Sequence, residues 1–360
     1  MDLSFGSEYD SFRDEVKAFL TNNQDKAPKG AARGQDLQQN LDWQKLLIEN
    51  GYTARTIPKE YGGYGAEPNI IESRIIAEEF ASFKVSQGLG GQGISMLTPT
   101  LIEMGTEEQR KEFIRPTILG EMTWCQGYSE PGAGSDLASL TTSAVLDGDE
   151  WVVNGTKMWV TNGVRASLVM LMVRTPDDRI TCLLVEKQPG ELFEGISVSK
   201  KIDKLGYKGL ETVEMSYVDH RVPHANVLGG EEGMGHGRRY ALSALELGRI
   251  NIAARAVGVA QAAFETSMRY AQQRETFGRP IFEHQAIQFK LAEMATKLQA
   301  ARLMTYDAAK RADEGERVDM EAGMAKLFAS EAAFEIATEA LRIHGGNGYT
   351  AEFPVERYFR

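Results

Sequence analysis

Apolar residues recur at helical spacing from the start of the chain. Phe12, Val16, Phe19 and Leu20 fall on one helix face, as do Ile71, Ile75, Ile76 and Phe80, and this three-to-four spacing predicts amphipathic helices. Between them Tyr61-Gly62-Gly63-Tyr64-Gly65 reads as a turn-rich loop. A further helix is predicted over 107–119, with Thr106 as its N-cap. From about residue 122 the texture changes. Segments 144–146, 150–153, 168–173, 180–186 and 212–218 read as strands, with Asp147-Gly148-Asp149 and Asn154-Gly155 as tight turns between strands. Beyond Gly233 helical pattern returns, Ala-rich over 250–270 and again over 287–312 and 320–344. In the last of these Leu327, Phe334 and Leu341 are spaced by sevens along one stripe, which predicts a core face.

The order is helical, β, helical: an α+β multidomain chain divided at 1–121, 122–232 and 233–360. Its 360 residues exceed the roughly 250–300 that one core supports. A hydrophobic share of 42% with 25% charge is ordinary for a soluble globular protein, and no apolar run approaches the ~18 residues of a bilayer span. The acidic N-terminus lacks a signal core and an Arg-rich transit pattern, so a cytoplasmic location of bacterial type is expected, and a processed mitochondrial protein would read the same way. Cys125 and Cys182 alone give neither a disulfide framework nor a thiolate metal cluster. The net charge of −11 argues against nucleic acid and anionic membrane as partners.

Some motifs mislead. Gly88-Leu89-Gly90-Gly91-Gln92-Gly93 fits a dinucleotide-binding pattern, but a helical segment precedes it where a strand is required. His220 and His224 have metal-like spacing, yet Pro223 breaks the helix that would align them, so a surface loop and no metal site are predicted. Asp177-Asp178 and Glu231-Glu232 read as solvated turns.

The chemistry concentrates in Tyr128-Ser129-Glu130-Pro131-Gly132-Ala133-Gly134-Ser135-Asp136, followed by Met158-Trp159-Val160-Thr161-Asn162-Gly163. Small residues behind a proline let the main chain touch a flat or anionic ligand, and serines supply hydroxyls. An aromatic and a hydroxyl then return from a neighbouring strand, which suits a flavin. These two segments resemble the signatures of the acyl-CoA dehydrogenase family. Met104-Gly105-Thr106-Glu107-Glu108-Gln109, Arg221-Val222-Pro223, Arg274-Glu275-Thr276-Phe277-Gly278, Gly345-Gly346-Asn347-Gly348-Tyr349 and Glu352-Phe353-Pro354-Val355-Glu356-Arg357 extend the resemblance along the whole chain.

The resemblance implies a helical N-terminal domain, a β-barrel-like middle domain and a C-terminal four-helix bundle, with FAD held between the last two. Cofactor contacts are implied at Gln126, Tyr128, Ser129, Gly134, Ser135, Trp159 and Thr161. Arg274, Thr276, Phe277, Gln285, Arg342, Gly345 and Gly346 are implied to reach the FAD pyrophosphate of a neighbouring subunit, hence a homodimer or homotetramer. Arg342 departs from the pattern, which has Gln, Asp or Glu there. Ser135, Glu246 and Arg249 are implied to touch the coenzyme part of an acyl-CoA substrate. The implied reaction is α,β-dehydrogenation to the trans-2-enoyl-CoA, with electrons passed to an electron-transferring flavoprotein. In the family the base Glu follows the Pro-Val-Glu-Arg stretch or replaces Gly248, so it is expected beyond Arg360, in a segment this chain lacks, with Glu246 a distant fallback. The alternatives are the same fold with desulfinase, oxygenase or nitroalkane oxidase chemistry, or a non-catalytic flavin-binding partner subunit.

Overall fold

A computed structural model describes residues 7–28, 37–91 and 93–360, apart from the side chains of Leu37, Asp177, Glu246 and Leu247. The chain forms two compact units, one comprising residues 1–203 and 209–244 and the other 204–208 and 245–360.

In the first unit the helices are α1 (Asp10–Asn23), α2 (Leu37–Glu49), α3 (Ile70–Ser82), α4 (Thr98–Met104) and α5 (Glu107–Leu119). Val16, Leu20, Trp43, Leu47, Ile75, Ile76 and Phe80 form one core, so the predicted apolar faces of α1 and α3 are the buried ones. Helix α5 opens on a capping box in which Thr106 and Gln109 satisfy each other's backbone N–H groups. The Gln109 amide also donates to the carbonyls of Ala225 (3.1 Å) and Val227 (2.7 Å), while its oxygen accepts from Gly229 N at 3.1 Å. One buried side chain thus ties the helices to the β segment.

That segment holds β1 (Trp124–Gly127), β2 (Ser143–Asp147), β3 (Glu150–Thr161), β4 (Leu168–Thr175), β5 (Arg179–Glu186), β6 (Leu192–Phe193), β7 (Ile196–Val198) and β8 (Thr212–Pro223). They make a curled sheet in the order β1-β4-β2-β3-β8-β7-β6, with β5 antiparallel on β4. Strand β4 is buried on both faces: Leu168, Met170 and Met172 pack with Leu101, Phe113 and Ile118 of the helices, whereas Val169, Leu171 and Val173 pack with Val153, Val160 and Val213 of the sheet. A near-continuous apolar run is what burial on both faces requires.

Asp147 and Glu150 pair across the predicted Asp-Gly hairpin, with Gly148 at φ +66°. Asn154-Gly155 is not a turn, because β3 runs straight through it. Its amide clamps a bulge on β8, where Asn154 Nδ2 donates to Asp219 Oδ1 and Asp219 N donates to Asn154 Oδ1, both at 3.0 Å. Glycine is required at 155 because a Cβ there would meet Thr142 Cα at 2.6 Å, with φ at +147°. His220 is a second correction: it is a buried residue of β8 rather than a loop residue, and its Nδ1 lies 2.7 Å from the Glu194 carbonyl oxygen. Within the Gly-rich stretch at 88–93, Gln92 lies outside the described residues, Gly88, Gly90 and Gly91 lie in a loop, and Gly93 opens a short helical turn that runs to Leu97.

Helix α6 (Gly237–Gln273) starts in the first unit and continues into the second, which adds α7 (Gln285–Asp313), α8 (Asp319–His344) and α9 (Val355–Phe359). Between α6 and α7 a small hairpin pairs β9 (Glu275–Thr276) with β10 (Arg279–Pro280). Of the sevenfold stripe of α8 Leu341 alone packs against the core. Leu327 and Phe334 are 62% and 57% exposed, and Ala322, Ala325, Ala329, Ala333, Ile336, Ala340 and Ile343 are buried instead. Alanine at three- and four-residue spacing lets α8 approach α7 closely, so bulk on that face would hold the helices apart.

Candidate functional site

Strand β1 delivers Gln126 and runs into the loop at 128–136. Gln126 Nε2 is buried without a hydrogen-bond partner among the described residues. The Tyr128 hydroxyl lies 3.3 Å from Met170 Sδ, and burial pushes its pKa well up. Glu130 N donates to the Ala133 carbonyl at 2.7 Å and Ala133 N to the Glu130 carbonyl at 3.2 Å, closing a tight turn. The turn leaves Gly132, Gly134 and Ser135 exposed, and a Cβ placed on either glycine would meet no heavy atom within 4 Å.

The loop is anchored from below. Glu130 is 6% exposed, and its carboxylate accepts from Thr141 N (2.7 Å), Thr141 Oγ1 (2.8 Å), Thr142 N (2.9 Å) and Lys157 Nζ (2.8 Å). Burial alone would raise its pKa, but these donors outweigh burial and hold it at about 2. Lys157 is fully buried, which pulls its ammonium down to about 8 against the pull of Glu130. Both groups are therefore charged at neutral pH. Lys157 Nζ also donates to the Tyr128 carbonyl at 3.2 Å, and Met158 N donates to the Ser129 carbonyl at 2.8 Å.

Directly after Lys157 the register of β3 on β8 slips: Lys157 pairs Met215 and Val160 pairs Val213, so β3 carries one extra residue. The bulge puts Trp159 in the left-handed region at φ +62°, a conformation bulky side chains avoid, and leaves the residue 57% exposed. Thr161 follows, half-buried and paired in register with Thr212. The structure therefore gathers Gln126, Tyr128, Ser129, Gly134, Ser135, Trp159 and Thr161 on one loop-and-bulge assembly. Its unpartnered buried amide, open ground over two glycines and exposed indole fit a flat ring system rich in hydrogen-bonding edges.

In the second unit Arg274 is exposed at the end of α6, and its carbonyl accepts from Ile281 N at 2.8 Å. The hairpin turns on Phe277 (φ +53°) and Gly278 (φ +74°), and Phe277 stands 96% exposed at its tip. Thr276 Oγ1 is 3.1 Å from His284 Nε2, and Gln285 begins α7 beside it. At the end of α8 the His344 ring stacks on Tyr270 at 4.1 Å and its Nδ1–H donates to the Ala340 carbonyl at 2.7 Å. Asn347 Nδ2 donates to the Tyr270 hydroxyl at 2.9 Å, placing Gly345 and Gly346 near the end of α6. Arg342 is exposed and donates to Glu339 at 2.6 Å. Arg274, Thr276, Phe277, Gln285, Gly345 and Gly346 thus share one end of this unit. Arg249 does not belong to that group: it lies on α6 with its charge near Asp319, at the opposite end of α8. The Glu246 side chain lies outside the described residues. Among the described residues no three His, Cys, Asp or Glu groups converge on a metal position, and no helix is long and apolar enough to cross a membrane.

Sequence reasoning overlooked Lys157, although a signal was present. Trp151, Val153 and Lys157 share the inward phase of β3, and a lysine in that phase demands a buried acid.

Three family models tile the chain: the acyl-CoA dehydrogenase N-terminal domain over residues 6–121, the middle domain over 125–220 and the C-terminal domain over 235–360. The chain is 38% identical over 326 residues to the 3-(aryl)acrylate reductase of Clostridium sporogenes, covering 88% of this chain and 83% of that one. It is also 38% identical over 326 residues to the mitochondrial short-chain specific acyl-CoA dehydrogenase of Bos taurus, covering 88% and 76%. Butyryl-CoA dehydrogenase from Megasphaera elsdenii superposes with a TM-score of 0.80 at 31% identity, covering 100% of this chain and 93% of that one. This chain belongs to the acyl-CoA dehydrogenase family.

Proposed function

We propose that this chain binds FAD and dehydrogenates a short acyl-CoA thioester between its α and β carbons. One observation carries the reading: a loop bearing open glycines and hydroxyls is locked, through Met158 N on the Ser129 carbonyl and Lys157 on Glu130, to a strand bulge that presents an exposed tryptophan. Bound FAD would supply the two-electron acceptor for hydride from the β carbon, and the α proton would pass to a carboxylate base, assigned to a Glu following the Pro354-Val355-Glu356-Arg357 stretch. The chain's part is placement. Gln126, Ser129 and Ser135 supply hydrogen bonds to the ring and its chain, Gly134 lets the backbone approach, and Trp159 and Thr161 close one side. The Arg274 fork suits two phosphate oxygens, and Thr276, Phe277, Gln285, Gly345 and Gly346 complete a second contact set contributed to a neighbouring copy in a homodimer or tetramer. Arg342, already bonded to Glu339, adds a cation near that set. Ser135, Arg249 and Glu246 are assigned to the coenzyme portion of the substrate, and an electron-transferring flavoprotein to reoxidation.

The similarity to a short-chain specific acyl-CoA dehydrogenase and to a butyryl-CoA dehydrogenase supports a short acyl group. Anaerobic titration with butyryl-, octanoyl- and palmitoyl-CoA tests this. Bleaching of the visible flavin band is expected with butyryl-CoA first, and a band untouched by every thioester overturns the assignment. The similarity to an arylacrylate reductase favours one second reading, in which the reduced protein is reoxidised by an arylacrylate. The same apparatus reads that reaction in reverse.

A further inference from the structure

Glu130 and Lys157 are buried beneath the exposed turn at 131–136, and neither is a group the flavin reading uses. Their geometry exceeds what burial requires. A carboxylate with three donors from Thr141 and Thr142 is already satisfied, yet a fully buried lysine is spent on it as well. Lys157 spans two elements: its ammonium holds Glu130 Oε1 at 2.8 Å and the Tyr128 carbonyl at 3.2 Å, both in the loop, while its backbone begins the bulge. Met158 N, the next group along, holds the Ser129 carbonyl at 2.8 Å. The loop residues 128–130 and the left-handed Trp159 are therefore fixed to each other through two residues of β3.

Resting on the flavin reading above, we infer that Glu130 and Lys157 are positioning residues, which set the distance and angle between the loop and the Trp159 indole and through them the pose of the ring. A neutral pair of similar size fills the cavity without holding the Tyr128 carbonyl, at the cost of one backbone donor from Thr141 or Thr142 facing the amide NH2. Stability and ring pose are then separable. A misfit between ring and loop weakens affinity about 5- to 150-fold.

The experiment uses the whole chain and FAD as the probe, comparing wild type with Lys157→Met/Glu130→Gln. Melting of the FAD-free protein, the FAD dissociation constant and the visible circular dichroism of bound flavin are read together. The expected result is a folded protein with a lowered melting temperature, a dissociation constant raised about 5- to 150-fold and an altered visible dichroism. Wild-type values for the last two in a well-folded double variant overturn the inference. If that variant does not fold, Thr141→Val, which removes only the hydroxyl donor to Glu130, is expected to shift the dichroism in a folded protein. Unchanged dichroism there overturns the inference as well. A wild type that takes up no FAD fails the flavin reading itself, a different outcome.

Discussion

Gly134→Val separates what the loop does for the fold from what it does for a ligand. The residue is exposed, its φ lies outside the left-handed region, and a Cβ on it would meet no heavy atom within 4 Å. Valine should therefore change the stability of the FAD-free protein by less than about 0.5 kcal/mol, the range of surface substitutions that disturb no special feature. If a flat ring lies against that backbone, the two added methyl groups occupy its space. Overpacking a fitted contact costs about 1–3 kcal/mol. At 1.4 kcal/mol per factor of ten, this weakens FAD binding about 5- to 150-fold. Denaturant melts of the FAD-free protein give the first quantity, and quenching of flavin fluorescence on titration gives the second. An FAD affinity equal to that of wild type would refute the reasoning, and so would a fall in stability above about 1 kcal/mol.

Three further outcomes are expected. Gly155→Ala should destabilise the fold by more than about 1 kcal/mol in urea melts, because a Cβ at φ +147° would stand 2.6 Å from Thr142 Cα. Acid should destabilise the first unit through Glu130. Its carboxyl sits at about 2 against an ordinary 4.5, so its stabilisation, at most about 3 kcal/mol, is present above pH 4.5 and lost as pH falls toward 2. Stability-versus-pH curves of Glu130→Gln should lack that limb. Trp159→Gly should raise the stability of the FAD-free protein by roughly 1 kcal/mol by relieving the left-handed strain, while weakening FAD binding. A variant that loses stability and keeps its affinity would contradict both halves.

The succession of elements was legible because each period was clear: the three-to-four spacing of α1 and α3, the Thr106 cap and the apolar run of β4 all announce their burial. The errors share a cause. Asn154-Gly155 has the local chemistry of a turn, but the pairing of β3 with β8 overrides it, and only that long-range register shows that the amide serves a bulge on the partner strand. Leu327 and Phe334 satisfied a periodic pattern, but a second stripe of alanines on the same helix competed for the core and won by allowing closer packing. Of the candidate site, the residues within 126–161 were readable as a group because they are close in sequence. The grouping of Tyr270 with His344 and Asn347, which brings the glycine turn beside the 274–280 hairpin, depends on contacts some 70 residues apart that no local pattern encodes.

The most direct measurement is the visible absorption and released-flavin content of the purified protein after equilibration with excess FAD and desalting. A yellow protein carrying FAD in stoichiometric amount is the result expected from the loop, the bulge and the open glycines. A colourless protein that is folded by circular dichroism and retains no flavin would contradict the account.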